Sequence, residues 1–341
     1  MMKKLVPTLV ASALLSIAAP SVAADELVVG LFGGSFETES KNCHISAFEE
    51  KTGATVLTKL GNSAQFSASV RATRGKSDYD IIYVDNSLAT QLKNEQLLET
   101  IDKAKLSNAD EVADIAFDDD NQYVAFMTGA TAIVYDTEQV DNPPKSWEDL
   151  FKPEFEGKVA IGDISGTSGL QFLLALNRMN GGDLDNMDAG FEAIKPLAKS
   201  SGQLYTQADQ IVPMFERQEI SLAVWYPDRA GSAIDAGLPL AVVYPEEGAV
   251  GILPTVVIPK GSKAMDLAHE YIDILLSAEG QKCFAENKYA GPVNTEVELS
   301  DKAASIVAVG ESFDKLWLPD PASVAKNLPD WMKRWQREIA R

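Results

Sequence analysis

Histidine and cysteine are nearly missing from this 341-residue sequence, with two of each. That scarcity leaves little for a metal centre. His44 and His269 lie far apart, and Cys43 and His44 are adjacent, which is not a helical ligand spacing. Beyond the N-terminus, no apolar run approaches the roughly 20 residues that span a bilayer, so direct membrane insertion is not expected. Positive charge is also in short supply. Thirty Lys and Arg face fifty Asp and Glu, for a formal net charge of −20. A chain this acidic is a poor partner for nucleic acid or anionic membrane surfaces, and the charge reads first as solubility. Internal repeats and low-complexity linkers are absent from the sequence. The stretch Gly162-Asp163-Ile164-Ser165-Gly166-Thr167-Ser168-Gly169 is rich in glycine but lacks the Lys-Ser/Thr that completes a phosphate loop. No Gly-x-Ser-x-Gly pattern surrounds Ser165 or Ser168, and no base partner is placed beside either, so a secreted hydrolase lacks its signature. No cofactor is expected.

What is present begins with the first two dozen residues. Lys3 and Lys4 precede an apolar stretch from Leu5 to Ala19, and Pro20 with Ser21-Val22-Ala23-Ala24 precedes Asp25-Glu26. That order predicts a cleavable secretory signal over residues 1–23, cut after Ala23 or Ala24, and an expected location in the periplasm. Cleavage removes two positive charges and moves the net charge to about −22. The remaining chain is long for one core and comfortable for two lobes. In an oxidising compartment Cys43 and Cys283 invite pairing. They meet only if the late part of the chain returns to the first lobe; two separately buried thiols are the alternative.

Strand and helix signals alternate along the chain. Leu27 to Phe32, Ala54 to Leu60 and Asp80 to Val84 read as strands separated by helices. A second series starts near residue 130, with strand-like Ala130 to Tyr135, Lys158 to Ile161, Ile220 to Tyr226 and Leu240 to Tyr244, and a helix from Thr167 to Asn177. Gly251 to Ile258 reads as another strand, and a helix follows with Ala264, Leu267, Ala268, Tyr271, Ile272 and Leu275 on one face. This pattern predicts an α/β protein whose strands are buried on both faces. Ligands in such sheets bind beyond the carboxyl ends of the strands. Ser35-Phe36 and Asp85-Asn86 occupy those positions in the first series, and the plainer alternative for Asp85 is a helix cap.

In the second series, Thr167 and Ser168 stand at a helix start. They either cap that helix or leave its N–H groups to a ligand carboxylate or phosphate. Trp225-Tyr226-Pro227-Asp228-Arg229 closes a strand and brings aromatic, acidic and basic groups together. Arginine would take a carboxylate, aspartate an ammonium, and an aromatic face the cation or alkyl chain. A surface pair between Asp228 and Arg229 is the plainer account.

Several ordered motifs resemble a known family. Ala130-Thr131-Ala132-Ile133-Val134-Tyr135, the run from Ser146-Trp147-Glu148-Asp149-Leu150 through Pro153-Glu154-Phe155-Glu156-Gly157-Lys158, Tyr244-Pro245-Glu246-Glu247-Gly248 and Tyr289-Ala290-Gly291-Pro292-Val293-Asn294 are similar to the spermidine/putrescine-binding branch of bacterial extracellular solute-binding proteins. The resemblance extends to about residue 300. It implies a two-lobed type II periplasmic-binding-protein fold with two interlobe crossings, near residues 126–130 and 250–256. The implied division is lobe 1 over 24–128 plus 254–300, lobe 2 over 129–253, and a C-terminal helical segment over 301–341 packing across both. It also implies a monomer that closes on a ligand and delivers it to an ABC permease with its ATPase.

Carried over position by position, the family's cleft aromatics fall at Phe36, Tyr226 and Tyr289 and its polar contact at Asp85. The acidic residues that grip polyamine ammonium groups fall on Ile164, Thr167 and Pro254, and two cleft tryptophans on Gly33 and Ile252. A linear polyamine needs several spaced anions. The sequence therefore points to a small amine or zwitterion of the γ-aminobutyrate type, held by Asp85 and Arg229. A polyamine is the alternative, and an anion or ferric-anion binder a third.

Overall fold

A computed structural model describes residues 26–201 and 203–340. The expected secretory signal lies outside the described residues. The chain opens with β1 (Glu26–Phe32), α1 (Ser35–Ser40), a π-helical turn over Lys41–Ile45 and α2 (Ser46–Thr52). Next come β2 (Thr55–Gly61), α3 (Ser63–Thr73), β3 (Ile81–Asp85), α4 (Asn86–Asn94) and the short β4 (Val124–Ala125). The hinge strand β5 (Gly129–Ala130) leads into β6 (Ala132–Asp136), β7 (Val159–Gly162), α5 (Thr167–Met179), α6 (Asp188–Ser201) and β8 (Gln203–Tyr205). Then follow α7 (Ile211–Glu216), β9 (Leu222–Trp225), α8 (Pro227–Asp235) and β10 (Leu240–Val243). The return hinge β11 (Gly251–Ile252) precedes β12 (Pro254–Val257), α9 (Met265–Leu276) and α10 (Ala278–Lys288). The chain finishes with α11 (Asp301–Ala304), α12 (Glu311–Asp314) and α13 (Pro321–Glu338).

Two five-stranded sheets result, ordered β2-β1-β3-β12-β4 and β10-β6-β9-β7-β8. In the first, β1 runs parallel to β2 and β3, while β12 is antiparallel to β3 and β4. In the second, β7 runs parallel to β8 and β9, and β6 is antiparallel to β9 and β10. The Val, Ile and Leu side chains of β3, β6, β7, β9 and β12 are buried on both faces, as helices covering each sheet from both sides require. The sheets carry separate cores. Leu27, Tyr83, Val256 and Ile272 sit in one, and Ile133, Trp147, Phe172 and Val224 in the other. This is the two-lobed type II periplasmic-binding-protein fold.

The lobes are joined by β5 and β11, which pair antiparallel, Ala130 with Gly251 and Gly129 with Ile252. The chain after α10 adds two further ties. Ala303, Ile306 and Val307 pack with Tyr289 against Ile234 and Val242 of lobe 2. Trp317 then exchanges backbone hydrogen bonds with Ala249 and Gly251 beside the hinge. α13 lies against α4 of lobe 1 and buries Trp331, Trp335 and Ile339 in the lobe 2 core. Each such side chain contributes roughly 1.5–3 kcal/mol when fully buried. The disulfide forms: Cys43 in the π-helical turn bonds Cys283 of α10, 240 residues later, within lobe 1.

Candidate functional site

The carboxyl ends of β3, β7 and β9 face each other across the hinge. Between them lie two cavities of about 150 and 170 Å³. Asp85, Asn86, Thr167 and Gln171 line the larger one; Thr128, Tyr226, Asp228, Tyr244 and Tyr289 line the smaller. Ile252 borders both.

Asp85 ends β3 and takes the N-cap position of α4, yet its side chain makes no capping bond. Ser63, the first residue of α3, turns it instead. The Ser63 hydroxyl accepts the Asp85 N–H at 3.2 Å and donates to Asp85 Oδ2 at 3.1 Å. The carboxylate is open to solvent in the cleft but has protein on most sides. That enclosure pushes its pKa above the usual aspartate value, and the Ser63 bond opposes the shift only in part. Among the described residues no Lys or Arg pairs with it.

Across the hinge, Thr167 is the first residue of α5 and is exposed. The next N–H, of Ser168, donates to Tyr226 Oη at 3.0 Å, so a phenol fills part of that helix start. The Ser168 side chain is buried and bonds Tyr205 Oη at 2.6 Å, and that phenol in turn donates to Val224 O at 2.6 Å. Gln171 accepts a hydrogen bond from the Thr131 hydroxyl, while its own buried amide nitrogen has no protein partner.

Two interlobe contacts, one through Asp228 and one through Tyr289, border the smaller cavity. Lys288 at the end of α10 places its ammonium 3.0 Å from Asp228 in the first turn of α8. Tyr289 has a left-handed backbone, φ 54°, and its hydroxyl lies 2.9 Å from both carboxylate oxygens of Asp235. Its ring covers Gly231, where a Cβ would fall 2.2 Å from Tyr289 Cδ2; only glycine permits that approach. Lys302 also bonds Asp235 and, with Tyr289, holds its carboxyl below the usual range.

Five residues singled out by sequence line neither cavity. Arg229 is half exposed and lies 3.9 Å from both Asp209 and Asp228, close to the plain surface pair. Trp225 is buried in the lobe 2 core with Tyr205 and Phe215, because alternate residues of β9 face opposite sides of the sheet. Phe36 packs edge-on against Phe32, Tyr83, Phe126 and Phe284. Ser35 is exposed at the start of α1, and Ser168 is held by Tyr205. Conversely, Ser63, Gln171 and Lys288 shape the cleft without carrying a sequence signal, and Tyr244 and Ile252, marked only by the family resemblance, line it.

Among the described residues no serine or cysteine side chain is hydrogen-bonded to a histidine. Ser165 donates to Asp163, whose other oxygen accepts the Trp335 indole N–H at 2.8 Å. His44 is buried in lobe 1 near Gly280 O, and burial lowers its pKa to about 4. His269 accepts the Asp102 N–H. Among the described residues no cluster of His, Cys, Asp and Glu could hold a metal ion, and no helix is long and apolar enough to cross a membrane.

Comparisons with known proteins agree on one assignment. The family described as "Bacterial extracellular solute-binding protein" matches residues 77–309. A spermidine/putrescine-binding periplasmic protein of Salmonella typhimurium is 26% identical over 308 residues, covering 86% of this chain and 83% of that protein. The crystal structure of an ABC transporter from Clostridium perfringens superposes with a TM-score of 0.80 at 29% identity, covering 92% of this chain and 99% of that one. A solved GABA receptor has a TM-score of 0.76 at 21% identity, covering 92% and 97%. The matched span takes in well over half of the chain, and the protein belongs to the bacterial extracellular solute-binding family as the solute-binding component of an ABC transporter.

Proposed function

We propose that the protein captures a small organic amine or amino acid in the periplasm, as a monomer, and presents it to its ABC permease and ATPase. Asp85 carries the reading. A carboxylate at the floor of a cleft, oriented by Ser63 and without a cationic partner among the described residues, is completed by a ligand ammonium. Asp228, the other acid lining the cavities, is already neutralised by Lys288. One free anion suits one ammonium better than the several of a polyamine. Thr167 and Gln171 line the same cavity and offer polar groups for the ligand's acid end, while Tyr226 lines the neighbouring cavity. Asn86 adds a further polar group to the same cavity. Arg229 stands outside it and acts at most on the rim.

A second reading rests on the relatives named for spermidine and putrescine. Asp85 and Asp228 border the two cavities in succession, and a diamine that displaces Lys288 from Asp228 would span both. Calorimetry with γ-aminobutyrate, putrescine and spermidine separates the two. Tightest binding of γ-aminobutyrate, lost in Asp85→Ala, supports the first reading. Tightest binding of spermidine, weakened by both Asp85→Ala and Asp228→Ala, installs the second. The ligand should also be recovered chemically unchanged by mass spectrometry; its consumption would refute a pure binding role.

A further inference from the structure

Ile252 is the single residue that lines both cavities. We propose that its side chain is a fixed partition that sets the longest ligand the cleft accepts. This rests on the reading that the ligand lies in the cleft with its ammonium at Asp85.

The register of the hinge explains the partition. Ile252 on β11 stands opposite Gly129 on β5. A Cβ at Gly129 would come 3.0 Å from Ile252 Cγ1 and 3.2 Å from Cδ1, so the isoleucine lies folded over the one partner that has no side chain. A β-branched residue in a strand has few χ1 choices, and Ile252 takes the one in which Cγ1 and Cδ1 fill the space left by the missing side chain at Gly129. The side chain is half-buried: one side packs on the hinge and the other stands in the cleft. It therefore ends the Asp85 cavity on the side facing Tyr226 and Tyr289. A ligand anchored at Asp85 has about 170 Å³ before it meets the Ile252 methyls, and a longer chain must displace them to reach the second cavity. Length selection needs no residue at the far end of the ligand, because the wall lies in the middle of the cleft.

The test uses three homologous series: ω-amino acids from glycine through γ-aminobutyrate to ε-aminocaproate, amines from putrescine through cadaverine to spermidine, and dicarboxylates from succinate to suberate. Affinities are measured by calorimetry for the parent, Ile252→Ala and Ile252→Val. In the parent, affinity should climb with chain length and then fall. Ile252→Ala should move the fall to longer members, with each additional buried methylene contributing roughly fourfold. Ile252→Val, which loses only Cδ1 and is the gentler change, should move it less. An identical length limit in all three proteins overturns the partition, whichever series binds. A limit that moves within the dicarboxylates alone upholds the partition and overturns the ammonium reading. Absence of binding in every series overturns both.

Discussion

Asp228 Oδ2 and Lys288 Nζ lie 3.0 Å apart and tie the first turn of α8 in lobe 2 to the last residue of α10 in lobe 1. The lysine side chain is only 10% exposed and the aspartate 31%. Breaking a fully buried pair costs about 3–5 kcal/mol, and this partly wet one should cost about 1–3. Lys288→Ala is therefore expected to lower stability in urea by that amount. It should also enlarge the radius of gyration of the unliganded protein in small-angle scattering. Lys288→Met, which keeps most of the packing, should reproduce the opening. Unchanged scattering in both variants would show that the pair does not restrain the lobes.

Asp85 should trade stability for binding. Its pKa is raised in the folded protein, chiefly by enclosure, so its ionised form is less favourable there than in the unfolded chain. The ionised group thus costs stability above its folded pKa, and the cost fades as pH falls from that value to below the ordinary aspartate pKa. Asp85→Asn is expected to melt at or above the parent's temperature at neutral pH. The same change should lose roughly thirtyfold or more in amine affinity. In the parent, amine binding should weaken on acidification at a pH above the ordinary aspartate range. A variant that melts lower and still binds amines would place the carboxylate in a structural role.

Trp335 tests the reach of the C-terminal helix. Its indole N–H donates to Asp163 in the turn that leads into α5. Trp335→Phe removes the donor and leaves a buried acceptor short of one bond, with an expected cost of about 1–3 kcal/mol in chemical denaturation. Hydrogen exchange at residues 164–168 should accelerate as well. Unaltered exchange there would confine the effect to the helix.

The disulfide should be quantitative. Denatured, unreduced protein is expected to show no titratable thiol, since Cys43 and Cys283 are bonded to each other. Reduction should cost about 2–4 kcal/mol, as for closure of a long loop. Two reactive thiols before reduction would contradict the bond.

The two-lobed fold was legible because strands buried on both faces are unbroken apolar runs. Ile81 to Val84 and Leu222 to Trp225 stand out without a partner in view. The cysteine pairing followed from compartment and topology together. The cleft was less legible. Whether Asp85 caps α4 or faces a ligand depends on a hydroxyl 22 residues earlier, and no local pattern records that bond. Asp228 reads as a ligand anchor or a surface partner of Arg229, which lies 3.9 Å away, but its nearer partner is Lys288, 60 residues on. Trp225 looked available because aromatic residues at strand ends often are, whereas the pleat turns it into the core. Ile252 was marked only as the place where the resembled family has a cleft tryptophan, and its position over Gly129 exists only in the register of the hinge.

The place of β12 governs the order in which the molecule is assembled. The strands of lobe 2 come from one continuous stretch, β6 to β10, and can pair as soon as that stretch is available. Lobe 1 cannot close its sheet that way. β3 and β4 are separated in space by β12, which begins at Pro254, so β4 cannot join the sheet until that later strand is in place. Contacts of such sequence separation form slowly. The sheet of the lobe that starts the chain is therefore completed after the sheet of lobe 2, although the lobe 2 core itself still waits for Trp331 and Trp335 of α13.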